Sequence, residues 1–170
     1  LLLWGKEVIS TNIFGQKSGQ QTRGHRFIKP QPLVISSPEE YATVLAEQGF
    51  VLADFEQRKA NIRQQLTSVV NGKGQVLTDE ALLEEVTGLV EWPVALLAEF
   101  DPKFLEVPAE ALITSMRNHQ KCFAVVDASQ RLLPYFITIS NLASKDPARV
   151  IAGNERVMRA RSDDAQFFYH

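Results

Sequence analysis

Residues 122–140 read CFAVVDASQRLLPYFITIS, two apolar runs separated by a polar segment. Cys122–Val126 and Leu132–Ser140 are rich in the β-branched and aromatic residues that strands favour. The segment between them, Asp127–Arg131, is longer than a two-residue turn. This stretch therefore predicts a β-hairpin with a longer loop, and the rest of the fold can be built outward from it.

Helices and strands are interleaved around this hairpin. Capping residues and the helical spacing of apolar residues predict five helices. They begin near Ser37, Asp54, Thr78, Pro108 and Asn154, and the first of them has the capping box of Ser37 and Glu40. Because no strand–helix unit repeats, we predict an α+β fold with a mixed or antiparallel sheet and packed helices. A single domain spanning residues 1–170 is expected from the length.

Five other segments of the chain are expected to be extended or irregular. Leu1–Trp4 and Glu7–Ile13 suit a tight hairpin around Gly5 and Lys6. Gln16–Arg23 is polar and glycine-dotted, and it is expected to be an exposed loop. A short strand is predicted at 50–53, and the proline within 89–100 predicts an edge strand or an irregular segment there.

Composition excludes several functional classes. Eighteen basic and twenty acidic residues give a net charge of −2, so the whole chain lacks the strong positive charge of many nucleic-acid binders. The single cysteine, Cys122, forms no internal disulfide and fits a reducing, cytosolic setting. No secretory signal or membrane span is evident. Without an initiator Met or a final stop to the last helix, we expect a piece of a longer protein.

Catalytic and metal-binding patterns are also weak. The three histidines, His25, His119 and His170, have no metal-ligand spacing, so no metal site is predicted. No serine or cysteine has the local pattern of a nucleophile, and Gly72–Gly74 is not a phosphate-binding loop. No catalytic residue is predicted in this chain.

The last predicted helix has an apolar and a polar face. On a helical wheel the apolar face carries Val157, Ala160, Ala165, Phe167 and Phe168, and the polar face carries Glu155, Arg159, Ser162 and Gln166. Arg161 and Asp164 project into the apolar face three residues apart, where helical side chains meet. We predict a structural ion pair between them, because a half-buried carboxylate needs a partner. A direct RNA contact is the alternative.

Polar clusters near two helices are candidate binding residues. Arg117, His119, Gln120 and Lys121 form the densest RNA-compatible group, although His119 lies near the apolar side and could be a core histidine. In the last helix, the arginines 156 and 159 face solvent, which suits either phosphate contacts or a solvated mixed-charge face. Asn154, at the predicted helix start, could bind an anion through free N–H groups.

Ordered sequence blocks along nearly the whole chain resemble the beta subunit of bacterial two-subunit glycyl-tRNA synthetases. The blocks are Gly24–Phe27, Leu82–Val86, Val90–Val94, Phe104–Leu105, Met116–Lys121, Gly153–Val157, Ala160–Arg161 and Asp164–Tyr169. The chain departs from the family pattern at Ala98, Cys122 and Ser162, where glycine, an aromatic residue and leucine are usual. None of these departures removes a charged residue from the blocks.

The resemblance implies a fold similar to the B3/B4 module of phenylalanyl-tRNA synthetase and a place in the amino-terminal region of the beta subunit. It further implies a cytoplasmic heterotetramer of two alpha and two beta subunits. In such an enzyme alpha uses ATP with Mg and glycine, beta engages tRNA-Gly, and this chain holds no cofactor. The expected tRNA-binding residues are Arg117, His119, Lys121, Asn154, Arg156 and Arg159.

Two other functions remain open at this point. An editing hydrolase acting on mischarged tRNA would place Arg117 and His119 in a cleft, whereas a scaffold would pack them against other protein. A tRNA-binding surface would expose them. The position of Arg117–Lys121 in the fold therefore discriminates between the three hypotheses.

Overall fold

The computed structural model describes residues 1–141 and 146–169, without the side chains of 165, 166, 168 and 169. The chain forms two compact units, residues 1–58 and 59–170, which we describe separately. The single-domain expectation stays a prediction. The helices are α1 (Tyr41–Glu47), α2 (Phe55–Val70), α3 (Glu80–Leu89), α4 (Ala109–Gln120) and α5 (Pro147–Tyr169). The strands are β1 (Leu3–Trp4), β2 (Glu7–Val8), β3 (Asn12–Ile13), β4 (Gln16–Lys17), β5 (Gln21–Arg23), β6 (Pro32–Val34), β7 (Gln75–Val76), β8 (Val94–Glu99), β9 (Phe123–Val126) and β10 (Leu132–Ser140).

The second unit is a four-stranded antiparallel sheet covered by helices on both faces. Its strand order is β7-β9-β10-β8, which confirms the α+β prediction and places β8 at an edge. Alternating strand residues divide between two cores, so Phe123 and Val125 pack with α2 and α3. Ala124 and Phe136 pack instead with α4 and α5. Burial on both faces explains why all of β9 is apolar.

The predicted hairpin of residues 122–140 is confirmed as β9 and β10. Its loop closes on Asp127, whose carboxylate accepts backbone N–H groups of Arg131 at 3.0 Å and Ser129 at 2.8 Å. The backbone hydrogen bond from Arg131 is the main cause that lowers the pKa of Asp127. The pairing register shifts between Leu132 and Phe136, an irregularity that accommodates Pro134 within a central strand.

The first unit contains three short antiparallel pairs, β1–β2, β3–β4 and β5–β6, together with α1. The tight hairpin around Gly5 is confirmed. The predicted loop over Gln16–Arg23 is wrong, because β4 and β5 occupy most of it. The Phe14–Gly15 turn, with positive φ at both residues, returns the chain so that β4 can pair with β3.

Helix starts were predicted with mixed success. The carboxylate of Asp54 caps α2, as expected, by accepting an N–H group at 2.7 Å. Helix α3 begins near Thr78, as predicted, and the carboxylate of Asp79 caps it by accepting an N–H group at 2.9 Å. Ser37 occupies the N-cap position of a 3-10 turn at Pro38–Glu40 that precedes α1, but its side chain makes no capping hydrogen bond. The predicted strand at 50–53 is absent from the described structure, where those residues form no sheet pairing.

Candidate RNA-contacting surface

The end of α4 presents the densest predicted cluster. Leu112 and Met116 are buried on the inner side of this helix and fix its orientation. The helix ends where Lys121 adopts the left-handed conformation, with φ of 53°, and the N–H of Cys122 donates to Met116 at 3.0 Å. The chain therefore turns from α4 directly into β9, leaving the last turn of the helix at the surface.

Two cations of this cluster form ion pairs with the start and middle of α3. Arg117 Nε lies 2.9 Å from Asp79 Oδ2, and Lys121 Nζ lies 2.7 Å from Glu85 Oε1. The other oxygen of Asp79 caps α3, so one carboxylate serves both contacts. All four side chains retain solvent exposure. Neither acidic partner could be predicted from the sequence, because only tertiary packing brings α3 beside α4.

His119 is exposed, so the alternative of a core histidine is wrong. Its neighbour Gln120 is half-buried, so His119 lies at the border between the exposed and inner sides of α4. The amide nitrogen of Gln120 lies 3.9 Å from the sulfur of Met158 in α5. The end of α4 therefore adjoins the middle of α5, where the remaining candidates lie.

The predicted helix start at Asn154 is wrong, and this removes the basis of the anion site expected there. Helix α5 begins at Pro147, so Asn154 lies inside the helix, where backbone N–H groups are already bonded. Its side-chain amide donates to the carbonyl of Val150 at 2.9 Å. Arg156 and Arg159 are exposed, as predicted.

The predicted faces of α5 are also wrong. Met158 and Ser162 are buried, whereas Val157 is 51% exposed and Phe167 is 80% exposed. The helix turns this way because Met158 packs in the core against α4 and the sheet. The side chains of residues 165, 166 and 168 lie outside the described residues.

The observed orientation of α5 differs from the predicted one, and this removes the reason for expecting a structural ion pair. Arg161 and Asp164 are both exposed rather than half-buried. A carboxylate in water needs no partner, so the physical reason for expecting this pair does not apply. Of the apolar face assigned from the sequence, Val157, Ala160 and Phe167 are exposed in this structure.

A cavity of about 430 Å³ lies between the end of α2, β7 and the start of α3. Arg63 at its rim donates to both oxygens of Glu80 at 2.9 Å, and this hydrogen bonding is the main cause that lowers the pKa of Glu80. Leu66, Val70 and Phe123 give the cavity an apolar lining. Arg117, His119 and Lys121 do not line it.

The buried thiol of Cys122 is held in its protonated form. Burial raises its pKa to about 12, although a hydrogen bond with Thr138 acts in the opposite direction. The thiolate is the reactive form of cysteine, so this thiol is a poor nucleophile at neutral pH. Within residues 1–141 and 146–169, no group of three or more His, Cys, Asp or Glu side chains is arranged to hold a metal ion.

Comparison with known proteins shows to which family this chain belongs. The family described as "Glycyl-tRNA synthetase beta subunit" matches residues 1–170. The chain belongs to the glycyl-tRNA synthetase beta subunit family. Curated glycine–tRNA ligase beta subunits share this similarity, with 53% identity over 170 residues in Hahella chejuensis and 52% over 171 residues in Marinobacter nauticus.

A third family member, from Coxiella burnetii, is 47% identical over 169 residues. These three alignments cover 99% of this chain but only 24–25% of each relative. The chain thus spans about a quarter of the length of the curated relatives it matches. In the part of the chain that the structure describes, no helix is long and apolar enough to cross a membrane.

Proposed function

We propose that this chain is a tRNA-handling part of the beta subunit of a glycine–tRNA ligase. It binds or positions tRNA-Gly and assembles with an alpha subunit in a cytoplasmic heterotetramer of two alpha and two beta subunits. The alpha subunit uses ATP with Mg and joins glycine to tRNA, and this chain supplies no reacting group. The family match over all 170 residues carries this proposal.

The position of Arg117–Lys121 supports binding over the two alternatives. An editing hydrolase would need these residues in a cleft, but they lie outside the lining of the 430 Å³ cavity. A scaffold would pack them against other protein, and within this chain Arg117 and His119 are exposed. An exposed cationic helix end is the arrangement that a phosphate backbone can reach.

The ion pairs of this surface determine what an RNA phosphate must displace when it binds. Exposed ion pairs contribute about 0–1 kcal/mol, so a phosphate can replace Asp79 or Glu85 as the partner of Arg117 or Lys121 at little cost. Arg117 then offers a phosphate two parallel N–H groups, whereas Lys121 offers a single ammonium. Exposed Arg156 and Arg159 on α5 add further positive charge.

The test is the salt dependence of tRNA-Gly binding by the intact heterotetramer. Each phosphate contact contributes about 0.7–0.9 to the slope of log affinity against log salt concentration. We expect Arg117→Gln to reduce the magnitude of this slope by about 0.7–0.9, the value for one phosphate contact. Arg131→Gln removes an exposed cation from the β9–β10 loop and is the matched control. Equal slopes for the wild type and both variants would exclude Arg117 as a phosphate contact.

A further inference from the structure

Positive charge is concentrated at the beginning of the chain. Residues 1–36 contain five Lys or Arg residues and one acidic residue, a net charge of +4. Residues 37–170 contain thirteen basic and nineteen acidic residues, a net charge of −6. The small overall charge therefore conceals a basic segment, which we call the hairpin segment because β1–β6 lie within it.

Among the described residues, the Lys and Arg side chains of the hairpin segment form no close ion pair, and Lys6 acts on the Glu39 carboxylate only at longer range. Lys17, Arg23 and Arg26 are exposed, and no cation of residues 1–36 lies within 4.0 Å of a carboxylate of the described residues. In the second unit, by contrast, cations such as Arg117 and Lys121 are paired. Unpaired positive charge on a surface attracts a polyanion without displacing an internal partner.

Exposed aromatic side chains are interleaved with these cations. Trp4 is 78% exposed, Phe27 is 72% exposed, and Phe14 is fully exposed. The guanidinium of Arg26 lies 5.7 Å from the ring centroid of Phe27, so charge and ring form one contact surface. Leaving three large rings in water forgoes the stabilisation that their burial would bring.

Phe14 occupies a position that is doubly unfavourable for its side chain. Its φ is 51° at the first central residue of the β3–β4 hairpin, followed by Gly15 at 77°. Positive φ at both central residues defines a type I′ turn, where Asn–Gly is preferred and a bulky residue is rare. Neither folding nor solubility requires an exposed phenylalanine there, so its ring calls for a functional reason.

We propose that the hairpin segment binds unpaired nucleotides of RNA, with Trp4, Phe14 and Phe27 stacking on bases and the neighbouring cations contacting phosphates. Exposed bases stack on aromatic side chains irrespective of sequence, and basic residues follow the backbone. Aromatic residues and arginine also occur at protein interfaces, but five cations against one carboxylate in residues 1–36 suit a polyanion. This inference rests on the proposed tRNA-handling role and adds a surface separate from the α4 cluster.

Phe14→Asn is the most informative variant. Asn–Gly is the favoured type I′ pair, so this change removes the ring while suiting the turn. We expect the intact heterotetramer carrying it to bind tRNA-Gly about 5- to 150-fold more weakly, the range for loss of one stacked base. The salt slope should stay unchanged, because no charge is removed. Phe14→Trp keeps an aromatic face and should retain the affinity.

Lys17→Gln provides the complementary result. It should lower the salt slope by about 0.7, the value for one phosphate contact of a single strand. A short unstructured RNA should compete for the same surface, and the competition should weaken in Phe14→Asn. A thermal unfolding midpoint of Phe14→Asn at or above that of the wild type shows that the hairpin is intact.

The remaining outcomes separate this proposal from the wider one. Normal affinity and slope in both variants, with salt-sensitive tRNA binding by the wild type, would overturn the hairpin surface and leave the tRNA-handling role in place. Absence of tRNA binding by the wild-type heterotetramer would overturn both. Loss of alpha from beta in Phe14→Asn, seen by analytical ultracentrifugation, would show that the ring docks protein and would also overturn the RNA assignment.

Discussion

At the residue scale, Gly24 shows how a single missing side chain determines packing in the first unit. A Cβ on Gly24 would lie 2.6 Å from the carbonyl oxygen of Gly49 and 2.7 Å from its Cα. The N–H of His25 donates to the same oxygen at 2.7 Å. Two backbone segments thus meet directly, and no flexible side chain lies between them to give way.

Gly24→Ala is therefore expected to destabilise the protein by about 1–3 kcal/mol, the usual cost of overpacking a close contact. Urea unfolding of the two proteins measures the difference. Gly19→Ala is the matched control, because nothing lies within 4 Å of the added Cβ and its φ is not in the left-handed region. A Gly24→Ala midpoint equal to that of Gly19→Ala would contradict the close contact.

Cys122 predicts a specific pH dependence. The folded thiol ionises near pH 12, whereas the unfolded thiol ionises near 9.0. Its contribution to stability is complete below pH 9 and is lost as the pH rises toward 12, because only the unfolded chain releases the proton in this interval. The expected loss is about 1.4 kcal/mol per pH unit.

Comparison with Cys122→Ala isolates this contribution from other groups that titrate at high pH. The free energy of unfolding should fall more steeply in the wild type than in Cys122→Ala between pH 9 and 11. Parallel pH profiles for the two proteins would show that the thiol is not held in its protonated form.

At the element scale, β8 lies at the edge of the sheet, and side chains from two helices form hydrogen bonds with backbone groups along this edge. Gln65 in α2 donates to the carbonyl of Pro93 and accepts the N–H of Ala95, both at 2.8 Å. Farther along the edge, Glu155 of α5 accepts the N–H of Glu99 at 3.1 Å. An edge strand with unpaired backbone groups would be a template for aggregation.

Gln65→Ala should destabilise the protein by about 1–3 kcal/mol, because it leaves two partly buried backbone groups unsatisfied. It should also increase aggregation, measured by light scattering below the unfolding temperature. Gln64→Ala, at the adjacent exposed position of the same helix, makes the same chemical change without these hydrogen bonds. Equal stability and scattering for the two variants would contradict the covering role.

Local patterns predicted much of this element structure. Asp54, Thr78 and Pro108 marked helix starts, since capping signals act within a few residues. The orientation of α5 could not be predicted in this way. The helical wheel of α5 predicted that the face containing Val157 is buried. In the structure Met158 is buried instead, because it packs against residues of the sheet that are distant in sequence.

The candidate site was predictable only in part for the same reason. The sequence indicated a polar cluster at 117–121, and the structure exposes much of it. Its ion pairs with α3 depend on tertiary packing. The hairpin segment was missed because its short strands and glycines favoured a loop, and because the net charge of the whole chain masked a local surplus.

At the scale of the whole molecule, the two candidate surfaces differ in how their charge is used. Arg117 is held by Asp79, so binding there requires exchange of partners. Asp79→Asn keeps a capping side chain but removes the competing charge. We expect it to strengthen tRNA-Gly binding by the heterotetramer several-fold, measured by fluorescence anisotropy, with the gain abolished in the double variant with Arg117→Gln. An equal gain in both would assign the effect to net charge alone.

Photocross-linking of 4-thiouridine-substituted tRNA-Gly to the intact heterotetramer tests the central claim most directly. Mass spectrometry of the cross-linked peptides identifies which parts of the beta subunit touch RNA. The tRNA-handling role predicts cross-links to peptides from this 170-residue region, including residues 1–36 or the end of α4. Cross-links confined to other parts of the beta subunit, or to alpha, would contradict it and favour a scaffold.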